Sequence, residues 1–125
     1  MNVLLWVFQV LLAVAFFAHG CLLLFPPAVM LQQMATVMSD WFRLFLGVAE
    51  VLAAIGLTLP GITRIQPPLI SWAAAGLMIV MVGATVLHST RGETISAIVT
   101  ALLLALLTSV AYLRWKVRPI APRRS

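Results

Sequence analysis

Trp41 to Leu59 reads WFRLFLGVAEVLAAIGLTL, an apolar run whose only charged side chains are Arg43 and Glu50. A helix needs roughly 20 such residues to cross the hydrocarbon of a bilayer. Ser39 or Asp40 offers an N-cap, and Pro60-Gly61 reads as the stop. Comparable runs lie on either side. The first covers about Val3 to Leu24 and ends before Phe25-Pro26-Pro27, which cannot continue a helix. The third runs from about Pro68 to His88, with Pro67-Pro68 suited to a helix start. The fourth runs from about Thr94 to Tyr112, before the aromatic and basic border Arg114-Trp115-Lys116. Four spans use up most of the 125 residues, so the chain reads as one all-α domain over 1–125: an integral membrane four-helix bundle with a basic tail over 113–125.

Composition says the same. The chain is 63% hydrophobic and 9% charged, with a mean hydropathy of +1.12. So few charges cannot cover a folded surface in water, but they suit one that faces lipid. No hydrophilic stretch is long enough for a soluble catalytic domain, so any chemistry must sit inside the bundle or at its edge. The net charge of +5 does not point to nucleic acid. Arg114, Lys116, Arg118, Arg123 and Arg124 directly follow an apolar run, where a positive-inside anchor meets anionic headgroups. With both termini cytoplasmic, those five and Arg64 lie inside, against Arg43 and Arg91 outside. That bias predicts the cytoplasmic (inner) membrane with both ends in the cytoplasm. Cys21 is the single cysteine, which excludes an intramolecular disulfide and a CxxC shuttle. Residues 1–10 carry no Lys or Arg for a signal peptide, so 3–24 reads as a retained helix.

Between the first two spans, Met30, Met34, Val37, Met38 and Trp41 fall on one helical face. This predicts a short interfacial helix within Pro26–Met38, capping the bundle mouth or gating it. Small residues mark packing faces in lipid. Ala97, Ala101, Ala105 and Ser109 form one such row; Ala73, Gly76, Gly83 and Ala84 a second; Gly47 and Ala54 a third.

The polar residues within the spans are few, and all three acidic residues and both histidines share one half of the bundle. His19 lies near the outer end of the first span and Arg43 near the outer start of the second. His88, Arg91 and Glu93 close the third. Glu50 sits seven residues past Arg43, roughly 10 Å deeper at 1.5 Å per residue. A carboxylate at that depth costs on the order of 2.5–3.5 kcal/mol, so it must be paired, protonated or wetted. Arg43, Gly47 and Glu50 share one stripe, and Gly47 leaves space between the two charges for a ligand group, water or His88. Glu50, His88, Arg43, His19, Arg91 and Glu93 are therefore the candidate ligand-binding residues. Two histidines on different helices raise a bis-histidine haem, but nothing else signals it, and no spacing motif supports zinc. No metal site is expected.

The run Gly47-Val48-Ala49-Glu50-Val51-Leu52-Ala53-Ala54-Ile55-Gly56-Leu57-Thr58-Leu59-Pro60 resembles the second-helix signature of DoxX-like membrane proteins. So do Ala74-Ala75-Gly76-Leu77-Met78, Met81-Val82-Gly83-Ala84 with His88, and Arg91-Gly92-Glu93. The resemblance covers about residues 3–115 and implies a four-helix bundle of a bacterial-type cytoplasmic membrane. Its namesakes accompany a thiosulfate:quinone oxidoreductase, and other relatives resemble accessory proteins of redox or assembly complexes. The matching polar positions are Glu50, His88, Arg91 and Glu93. One departure is that relatives often place a lysine shortly after the first-helix glycine, where this chain has Cys21-Leu22-Leu23-Leu24.

Three readings of function follow. The first is a redox-associated accessory subunit, not a stand-alone enzyme, that binds a quinone-like or small acidic ligand in the outer half. A histidine and a carboxylate would serve as proton partners for the quinone carbonyls. The second is a non-enzymatic assembly or scaffold protein, whose small-residue faces recruit another membrane protein or a second copy. The third is a small transporter, opposed by the arginine beside Glu50 and by the lack of mid-span Gly/Pro breaks.

Overall fold

In the computed structural model, which describes residues 2–124, the apolar runs become helices. They are α1 (Asn2–Leu24), the short α2 (Ala28–Ala35), α3 (Asp40–Thr63), α4 (Leu69–Thr90) and α5 (Thr94–Tyr112). A π-helical turn over Leu113–Val117 prolongs α5. α1, α3, α4 and α5 with its extension are each long and apolar enough to cross a membrane. Residues such as Val3, Ile79 and Ile95 stand three-quarters or more exposed on the outside, a surface suited to lipid and not to water. The protein is a multi-pass membrane four-helix bundle, and α2 supplies the short helix expected between the first two spans.

The buried positions of α3 are Arg43, Gly47, Glu50, Ala54, Leu57 and Gly61. They recur at alternating steps of four and three, the seam of knobs-into-holes packing. Against this seam lies α1, whose buried face runs through Leu5, Gln9, Leu12, Phe16, Gly20 and Leu23. The two backbones come close where Gly20 faces Gly47. A Cβ on Gly20 would stand 3.0 Å from the Gly47 carbonyl oxygen, and one on Gly47 would stand 3.1 Å from that of Gly20. α4 packs on α5 and also on α3, whereas α1 and α5 meet only sparsely. Leu12, Phe16, Leu57, Leu77 and Leu107 form the centre of the core.

Three features differ from expectation. Pro60-Gly61 does not end α3, which runs on to Thr63 and stops at Arg64 in the left-handed region (φ 59°). Proline removes one backbone donor, a loss that membrane helices tolerate. Gly61 instead makes room for Trp6, Ile70 and Ile120. Gly76 and Gly83 of α4 have nothing within 4 Å of a Cβ position, and Ala101, Ala105 and Ser109 of α5 are exposed. The α4–α5 pair closes elsewhere, through buried Leu77, Leu107 and Val110 and a Thr85–Thr100 hydroxyl hydrogen bond of 2.9 Å. Finally, the tail folds back over the bundle end. The Arg123 amide donates to the Arg64 carbonyl at 2.7 Å, and Arg64 Nε donates to the Ala121 carbonyl at 2.9 Å.

Candidate functional site

Glu50 points into the bundle and is 1% exposed. Its partner is His19 of α1, whose Nδ1–H donates to both carboxylate oxygens at 2.9 and 3.1 Å. The glycine contact explains the pairing. Gly20 follows His19, and Gly47 lies one turn before Glu50, so the close helix approach brings imidazole and carboxylate within reach. The space beside Gly47 is filled by Gly20 and Leu24, not by a ligand group or His88.

Arg43 shares the buried stripe but does not meet Glu50. Its Nη1 donates to the Leu23 carbonyl in the last turn of α1, and Nη2 lies 3.8 Å from Asp40. A guanidinium at that position satisfies an orphan carbonyl and complements the helix dipole. It ties α3 to the end of α1.

His88 makes a separate cluster. Its Nδ1 donates to Glu93 at 3.2 Å, and Arg91 Nε lies 3.3 Å from the same oxygen. Glu93 and Arg91 are exposed at the α4–α5 turn, so this cluster meets the aqueous rim. The six candidates therefore divide into a pair of exposed His19 and buried Glu50, an Arg43 clasp and a rim cluster of His88, Arg91 and Glu93.

A cleft of about 410 Å³ joins the first and last of these groups. Phe16 and His19 of α1, Met81 and His88 of α4, and Ser96 and Thr100 of α5 line it. It lies between α1, α4 and α5, at the side of the bundle where α1 and α5 pack only sparsely. Both histidines use Nδ1 for a carboxylate, so Nε2 remains as the second functional atom of each ring. Among the described residues, no three His, Cys, Asp or Glu side chains converge as a metal site.

A second polar group lies at the opposite end, where the sequence shows a border of basic anchors. Arg114 is 5% exposed. Its Nε donates to Gln9 Oε1 at 2.6 Å and its Nη1 to Asn2 Oδ1 at 2.7 Å, while Gln9 Nε2 donates to the Leu57 carbonyl at 2.7 Å. The Trp6 ring lies 5.4 Å from the guanidinium carbon. The available signal was Gln9, a polar side chain inside a span that needed a partner.

No curated protein and no solved structure matches the chain. The family model described as the DoxX-like family matches residues 7–110, nearly the whole bundle and both histidine–carboxylate pairs. With four apolar spans and a glutamate buried in the second of them, this chain belongs to the DoxX-like family.

Proposed function

We propose that the protein is an accessory subunit of a membrane redox complex, and that it binds a quinone-like or small acidic molecule in the cleft between α1, α4 and α5. One observation carries the reading: two imidazoles from different helices line one cleft, each backed at Nδ1 by a carboxylate. A neutral imidazole so held accepts a hydrogen bond at Nε2 from a quinol hydroxyl. A protonated one donates there to a quinone carbonyl. Proton exchange with the bound ring follows from that pair of states, and the electrons come from a redox centre on a partner subunit. The volume lies within the range of small-molecule pockets. The sparse packing of α1 on α5 suits lateral entry of a lipid-dissolved ring, and Arg91 at the rim suits an acidic substituent. We also propose the inner membrane with both termini cytoplasmic, which puts the cleft in the outer half.

The test is binding of a short-chain quinone to purified protein in lipid nanodiscs, read by thermal shift and by mass spectrometry of co-purified quinone. His19→Ala and His88→Ala should each weaken binding about tenfold, the worth of one good hydrogen bond. Absence of both co-purified quinone and a quinone-dependent shift would defeat the reading.

The assembly-scaffold reading draws on a different observation, the outward Gly76, Gly83, Ala101 and Ala105. Small residues left on the outside suit close packing by another membrane helix or a second copy. On that reading Glu50→Gln lowers complex yield and stability together, and never quinone binding alone.

A further inference from the structure

At the end of the bundle that carries the termini, a groove of about 320 Å³ runs between the start of α4 and the end of α5. Ser71 and Trp72 line it from one side, and Ala111, Tyr112, Trp115 and Lys116 from the other. Its floor is chemically closed, because Ser71 Oγ donates to the Ala111 carbonyl at 3.0 Å and neither group needs a further partner. Its walls are aromatic. Trp72 and Trp115 meet edge to face, with centroids 6.1 Å apart and ring planes at 85°. Both indoles and Tyr112 remain about half exposed or more. Lys116 is the one charged residue on the lining.

The local backbone is specialised for this. Leu113–Val117 form a π-helical turn, a rare geometry that recurs at functional sites. Within it Arg114 turns into the bundle, while its neighbours Trp115 and Lys116 remain outside and line the groove. The same end also carries Arg64, Arg118, Arg123 and Arg124. A hydrocarbon segment suits this almost wholly apolar lining, and a negative charge suits the ammonium carried by the Lys116 stem. We propose that the groove binds an anionic phospholipid, one acyl chain lying along the exposed faces of the Trp72–Trp115 pair and the phosphate at Lys116. Indole and phenol rings belong at the headgroup level, and basic side chains there attract anionic lipids. The volume sits at the low end of small-molecule pockets, which suits part of one chain and not the length of a helix. This site is independent of the cleft at the other end.

The experiment is native mass spectrometry of the protein released from nanodiscs containing equal amounts of phosphatidylglycerol and phosphatidylcholine with matched chains. The wild type should retain phosphatidylglycerol over phosphatidylcholine by about fivefold, the worth of one lysine near an anionic surface. Lys116→Gln should bring that ratio close to one, Arg124→Gln should leave it unchanged, and Trp115→Ala should lower retention of both lipids. Equal retention by the wild type overturns the proposal. So does an equal effect of Lys116→Gln and Arg124→Gln, which would mean diffuse charge. A wild-type dimer that Trp115→Ala converts to monomer also overturns it, since a second copy would then fill the groove. If Trp115→Ala does not fold, the comparison of Lys116→Gln with Arg124→Gln decides alone.

Discussion

At the scale of the residue, the chain turns on how two buried polar groups are satisfied. Glu50 has His19, and Arg114 has Gln9 and Asn2. Counting along the second span predicts the depth of Glu50 and its need for a partner, because both depend on helix rise alone. It cannot name the partner, since His19 and His88 lie at similar depth on different helices. Glu50→Gln keeps the shape of the side chain but removes the charged acceptor that holds His19 Nδ1. Quinone affinity should fall about tenfold, with folded yield close to wild type, in the nanodisc binding assay. Arg114→Leu strips the donors from Gln9 Oε1 and Asn2 Oδ1. It should cost about 1–3 kcal/mol in reversible unfolding in mixed micelles. Gln9→Leu added to it should recover part of that loss, the sign of a coupled pair.

At the scale of the element, one glycine contact sets the site. Gly20 and Gly47 bring α1 and α3 together, and the His19–Glu50 bond forms in their shadow. Gly20→Val should act as a wedge, destabilising by about 1–3 kcal/mol and weakening ligand binding at the same time. Gly76→Ala and Gly83→Ala face open space. Each should be neutral or stabilise the isolated protein by up to about 1 kcal/mol in the same unfolding assay. A selective loss of complex formation in either variant would favour the scaffold reading. The helices themselves were legible from apolar run length, but their packing faces were not. Small residues occur on several sides of the last two spans, and only Leu107, Val110 and the Thr85–Thr100 bond show which side α4 and α5 share.

At the scale of the whole molecule, orientation is the open test. With both termini cytoplasmic, Ser89→Cys in a Cys21→Ala background should react with a membrane-impermeant maleimide in intact cells. Arg124→Cys should react only after lysis. The reverse pattern would invert the bundle and move the cleft to the cytoplasmic half. The tail carries a second consequence. Arg64 holds the 121–123 backbone, and Ile120 packs beside Gly61. Deleting residues 118–125 should raise hydrogen exchange at the α3–α4 turn while leaving the distal cleft unchanged.

The number of spans, their approximate ends, the need of Glu50 for a partner and the family were all written in the linear chain. A bilayer imposes a one-dimensional demand, a minimum length of apolar helix and a penalty for unpaired charge, and both can be counted residue by residue. Which imidazole answers Glu50, why Arg43 turns to the Leu23 carbonyl, and how Arg114 comes to be buried were decided only in three dimensions. Those choices depend on which helix faces come into contact, and small side chains permit several contacts before packing selects one.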